Sequence, residues 1–153
     1  MSGTGAEIER LDRVHQRQIV VQLGCYALSV SLLLLRFFLG AFGLERGPVT
    51  WTLLGLLVAA LLALATCSAL QLWSWRRISR NPDLAEALNN EMVQTLGAEA
   101  WLAGFLGAAG AVLFYAIASL GGLVADPVTI ALTTILVGRG AQRMAFYIRY
   151  RSA

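Results

Sequence analysis

Arg139, Arg143 and Glu99 are the side chains whose type and setting suggest chemistry, because each falls inside or at the edge of a long apolar run. A charge placed there must be paired, reach water by snorkelling, or serve a function. Arg139 lies twelve positions beyond Pro127, on the order of 18 Å along a helix, and Arg143 follows one turn later on the same face. Glu99 opens the preceding apolar run and is expected to pair with Arg143 or Arg139 across an antiparallel helix pair. The competing reading joins both arginines to Arg76 and Arg77 as an anion or lipid-headgroup site. Arg36 is expected near the opposite interface, with Glu45 or Asp126 as its partner.

Other reactive residue types are sparse. His15 stands alone, and no Asp, Glu, Cys or second His shares a ligand spacing with it. Cys25 and Cys67 are single thiols with no CxxC, which suits small packing residues better than a metal knuckle or a disulfide relay. A cation-coupled exporter needs a mid-membrane acid and a two-haem carrier needs several histidines; the apolar runs contain neither. GxxxxGKS, GxSxG and HExxH are all missing. The expectation is a protein that is not an enzyme and has no catalytic, cofactor or metal site.

The elements that carry these residues follow from composition. Of 153 residues, 58% are hydrophobic and 14% charged, too apolar a balance for an ordinary soluble domain. Charge-free stretches cover 18–35, 47–75, 100–125 and 127–138. The first continues past Arg36, and the last becomes long enough to cross a bilayer if its helix runs on through Arg139 to Ile148. The expected fold is all-α, with four transmembrane helices at about 19–43, 49–75, 99–121 and 126–148 arranged as two antiparallel hairpins. Gly43, Gly47 and Pro48 break the first pair; Gly121, Gly122, Asp126 and Pro127 break the second, with Asp126 capping and Pro127 at the first helical position.

Arginine supplies all 12 positive charges against 9 acidic residues. Ten arginines fall at the two chain ends, in the middle loop and in the last span, whereas Arg36 and Arg46 fall on the other side. The positive-inside rule then predicts cytoplasmic termini and a cytoplasmic central loop, in a bacterial inner membrane. The first span exceeds a signal-peptide core and reads as an uncleaved anchor. A net charge of +3 reflects topology rather than nucleic-acid binding.

Small residues four apart predict close helix contacts. Ala100, Gly104, Ala108 and Ala111 mark span three, with Ala103, Gly107 and Gly110 on an adjacent strip, and Gly55, Ala59, Ala63 and Cys67 mark span two, so these two spans are expected at the centre, with a homodimer seam as the alternative use. Trp51, Trp73, Trp75, Trp101, Tyr147 and Tyr150 fall near span ends as interface anchors. Outside the membrane, residues 1–18 are expected as an amphipathic helix that starts at a Thr4–Glu7 capping box and feeds into span one. A loop helix at 82–96 repeats Leu84, Leu88 and Met92 at four-residue spacing, a stripe that lies on the membrane or docks a cytosolic partner. A short tail is expected at 150–153.

The run Asn81, Pro82, Asp83, Leu84, Ala85, Glu86, Ala87, Leu88, Asn89, Asn90, Glu91 follows Trp75, Arg76 and Arg77 and precedes Trp101. It resembles the loop of small uncharacterised bacterial four-span inner-membrane proteins, often Asp-Pro-x-Leu-x-x-x-Leu-Asn-Asp-Glu. Asn81 and Asn90 replace the aspartates, which argues against a metal or cation role. The resemblance covers about twenty residues and the four-span layout, implies architecture, and carries no established activity.

Two functional expectations remain. One is a non-enzymatic accessory or regulatory membrane protein that docks a membrane or cytosolic partner through Leu84, Leu88 and Met92. The other is a small oligomeric transporter or channel subunit that uses Arg139, Arg143 and Glu99.

Overall fold

The computed structural model describes residues 3–44, 47–78 and 91–152. Among these, the chain forms four helices: α1 (Gly3–Ala41), α2 (Pro48–Ile78), α3 (Glu91–Leu120) and α4 (Pro127–Ser152). Gln16–Ala41, Pro48–Leu70 and Thr95–Leu120 are each long and apolar enough to cross a membrane. A helix satisfies its own backbone groups where no water can, so three such segments define an all-helical protein built for a bilayer.

Both short connections use the same device. Leu44 donates its amide to the carbonyl of Leu39 and Gly43 to that of Gly40; Leu123 and Gly122 repeat the pattern on Ala118 and Ser119. These are Schellman endings, which need a left-handed residue, and Gly43 (φ +67°) and Gly122 (φ +82°) provide it without a Cβ clash. Pro48 and Pro127 then open the next helices at positions where the missing amide costs nothing.

Helix limits differ from the sequence expectation in three places. Met92, expected in a separate loop helix at 82–96, lies in α3, which runs unbroken from Glu91 through Gly97 into the span. The rest of that expected helix, with Leu84 and Leu88, lies outside the described residues. The expected tail is helical as far as Ser152, and α1 begins at Gly3, one residue before its expected cap.

The packing order corrects a second expectation. α1 packs against α2 and α4, and α3 against α4, whereas α2 and α3 share no extensive contact. The central helices are therefore α1 and α4. Leu57 and Leu64 of α2 join Leu32 and Leu33 of α1 and Leu136 of α4 in the buried core, with Leu53 and Leu61 beside them. That leucine face sets the rotation of α2 and turns Gly55, Ala59 and Ala63 outward. The lipid-facing hydroxyls of Thr52 and Thr66 donate to the carbonyls of Val49 and Leu62, 2.8 Å each, which keeps them satisfied away from water.

The small residues of α3 do what their spacing predicts, but against α4. A Cβ on Gly107 would stand 2.8 Å from the Cβ of Ala141, and one on Gly104 would stand 3.0 Å from the Gly138 carbonyl oxygen. A Cβ on Gly138 would reciprocally meet Ala108 and the Gly104 carbonyl, both at 3.1 Å. Without a hydrophobic force between helices in lipid, this backbone approach is the source of van der Waals attraction.

Substitution therefore separates the two kinds of glycine. Gly104→Val or Gly107→Val should lower the stability of the purified protein by about 1–3 kcal/mol through overpacking. Gly110→Ala, whose new methyl meets nothing within 4 Å, should not lower it. Thermal unfolding in a mild detergent measures both.

Candidate functional site

Two polar regions stand out among the described side chains, and both are made by α4. The first is a pair of buried polar stripes on α1 and α4, the two helices that pack together at Tyr26 and Gly140. Gln22 and Ser29 sit seven residues apart on one face of α1 and are 1% and 0% exposed; Thr129 and Thr133, four apart on α4, are each 2% exposed. Seven- and four-residue spacing puts each pair on a single helical stripe, so one rotation of each helix buries both members. The two helices meet at Gly140, where a Cβ would make ordinary contact 3.5 Å from the Cβ of Tyr26. At the far end the hydroxyls of Tyr115 and Thr133 share a 3.0 Å hydrogen bond. Phe37 of α1 packs edge-on against Tyr115, with ring centroids 5.3 Å apart, which ties α3 into the same corner.

Asp126 closes this corner as the cap of α4. Its Oδ1 accepts the Thr129 amide at 2.9 Å and its Oδ2 accepts the Thr129 hydroxyl. The hydroxyl is the main reason that the Asp126 carboxyl lies below its ordinary value of 3.8; partial burial opposes it, while the Thr129 amide and the charge of Arg36 act with it. Of the two partners expected for Arg36, Asp126 is thus within its electrostatic reach, and Glu45 lies outside the described residues.

The second region is the arginine end. Glu99 pairs with Arg149 at 3.3 Å, both side chains largely exposed, not with Arg143 or Arg139 as the sequence suggested. The register explains the correction. Residues 99, 104 and 108 of α3 face 149, 142 and 138 of α4, so Glu99 is level with a point about 9 Å beyond Arg143 along the axis. Arg139 instead donates to Oε1 of Gln142 at 3.0 Å and lies over the Trp101 ring, 5.4 Å from its centroid. Arg143 is half-buried, with Tyr26 and Arg139 as its electrostatic neighbours. The expected triad therefore divides into an ion pair, Glu99–Arg149, and a two-arginine cluster. Side chains of Arg76, Arg77, His15 and Met92 lie outside the described residues.

Sequence reading missed the seam. Its signal was available: in lipid, polar side chains turn toward protein, and Gln22/Ser29 with Thr129/Thr133 form matched stripes on two helices. Cys25 and Cys67 are both half-buried free thiols. Among the described residues no group of three or more His, Cys, Asp or Glu comes together. Trp51 and Trp73 project near the two ends of α2, as interface anchors do, whereas Trp101 projects ten residues into α3.

Fold and polar regions together define an α-helical membrane protein with a polar α1–α4 seam and an arginine cluster at one end of it. No family model, curated protein or solved structure matches the chain.

Asp126 makes the stability pH-dependent at the acid end. A carboxyl whose folded pKa is depressed contributes stability above its unfolded value, and that contribution fades as pH falls through the folded value. Acid titration of thermal stability should show a loss beginning near 3.8 and continuing below it. Asp126→Asn should remove this part of the slope. Asp126→Ala should cost about 1 kcal/mol at neutral pH through the lost cap.

Proposed function

We propose that the protein is a non-enzymatic accessory or regulatory component of a membrane assembly, acting through contacts rather than conduction. In this reading α4 is a fourth span, Arg139 and Arg143 snorkel, and the helices form two antiparallel hairpins in a bacterial inner membrane. Both termini and the central connection are cytoplasmic, as the arginine distribution supports. The short Schellman turns support the hairpins, as does the descending register of α4 against α3. The loop that resembles small bacterial four-span proteins is then the docking element.

The filled interior carries this reading. Leu32, Leu33, Leu57, Leu64 and Leu136 meet where α1, α2 and α4 converge, and Leu33 is 1% exposed. A bundle whose centre is packed leucine is a scaffold, not a lumen. Its working surfaces are then the outer helix faces and the cytoplasmic stripe of Leu84, Leu88 and Met92.

A second reading, an oligomeric transporter subunit, draws support from the buried Gln22, Ser29, Thr129 and Thr133. Such a stripe is polar enough to flank a solute path if neighbouring copies complete it.

Gentle extraction of the tagged protein from its native membrane, followed by mass and composition of the particle, separates the two. The accessory reading expects a second protein in fixed stoichiometry. Leu88→Asp or Met92→Asp should weaken its recovery at least about tenfold, as loss of an interface anchor does, while Arg139→Gln and Arg143→Gln should leave it intact. A defined homo-oligomer alone, with solute flux that falls in Arg143→Gln, contradicts it and supports transport.

A further inference from the structure

Arg139 and Arg143 occupy successive turns of one α4 face, and neither has a carboxylate partner among the described side chains. The one described carboxylate at this end, Glu99, is engaged by Arg149. Two guanidiniums at neighbouring positions repel one another, more strongly at a membrane edge than in bulk water, and the repulsion is relieved by a bound anion.

Their surroundings select the kind of anion. Trp101 covers one face of the Arg139 guanidinium and Gln142 takes one of its donors, which fixes the group in orientation and leaves the remaining N–H edge free. Both contacts draw Arg139 from its depth in α4 toward the C-terminal side of that helix, beside exposed Trp101. A tetrahedral oxyanion bound at the free edge of Arg139 gains from the neighbouring charge of Arg143, and planar forked donors suit it better than a single point charge does.

We propose that Arg139 and Arg143, walled by Trp101, form a binding site for a phosphate group, the chemistry shared by an anionic phospholipid headgroup and soluble phosphate. This assignment goes beyond the accessory reading and holds whichever partner the loop engages.

The test uses the full chain and native mass spectrometry, titrating phosphatidylglycerol against a phosphatidylcholine background, with inorganic phosphate as a competitor in a second arm. Removing one arginine of the cluster (Arg139→Gln or Arg143→Gln) should weaken phosphatidylglycerol binding about ten-fold, and removing both about 100-fold, because each loses a charge-assisted hydrogen bond to the phosphate itself. Arg17→Gln, which removes an exposed charge from α1 outside the cluster, is the control and, at physiological ionic strength where such a charge is screened, should change binding less than about two-fold. Helical circular dichroism and a single chromatographic peak establish that each variant is folded; Arg139→Lys and Arg143→Lys provide a second, milder pair and should retain partial binding. Selective lipid binding that survives millimolar phosphate supports the site with a lipid as its source. Displacement by millimolar phosphate supports it with soluble phosphate as the source. Equal losses in Arg17→Gln and Arg143→Gln, or no loss in the folded double variant, overturn it.

Discussion

The contact between α1 and α4 joins two helix pairs that otherwise share little surface, and both helices bury their polar stripes. Gln22 and Ser29 on one helix and Thr129 and Thr133 on the other are all withdrawn from the surface, and each set occupies a single stripe. Turning both stripes inward fixes the rotation of both helices. Gly140 then rests on Tyr26 at ordinary contact distance, and Phe37 brings in Tyr115 so that the third helix shares the same corner.

The two flanking helices attach by different physics. α2 lies on α1 through interlocking leucines, a contact tolerant of small shifts because it depends on area and shape rather than on one close approach. α3 lies on α4 through Gly104, Gly107 and Gly138, where backbones come close enough that a single methyl would collide. The first arrangement positions an outer helix loosely. The second fixes a register, and that register assigns Glu99 to Arg149 and leaves Arg139 and Arg143 as a pair.

Local features were legible in the sequence to the residue. Gly43–Pro48 and Gly122–Pro127 marked the turns, because only a left-handed ending followed by a proline-tolerant start satisfies both rows of orphan backbone groups. Asp126 as cap came from the same reasoning. The order of helices was not legible, because small-residue spacing identifies a face that permits close approach without identifying its partner. Gly104 and Gly107 found α4, whereas Gly55, Ala59 and Ala63 were left on the outside by the leucine face beside them. The Glu99 partner was missed for a related reason: it depends on how far the second turn offsets two helices, which no residue count fixes. Weighing only charged and metal-ligating side chains left out Gln22, Ser29, Thr129 and Thr133, although their spacing marks two stripes.

Helix order is the claim on which the remaining assignments rest, and proximity at the seam measures it. In a chain carrying Cys25→Ala and Cys67→Ala, the pair Tyr26→Cys with Gly140→Cys places two Cβ atoms about 3.5 Å apart, within disulfide range. Mild oxidation in membranes should yield a cross-link within one chain for this pair and none for Gly55→Cys with Gly110→Cys on α2 and α3. A cross-link within one chain between α2 and α3, with none at the seam, would contradict the arrangement.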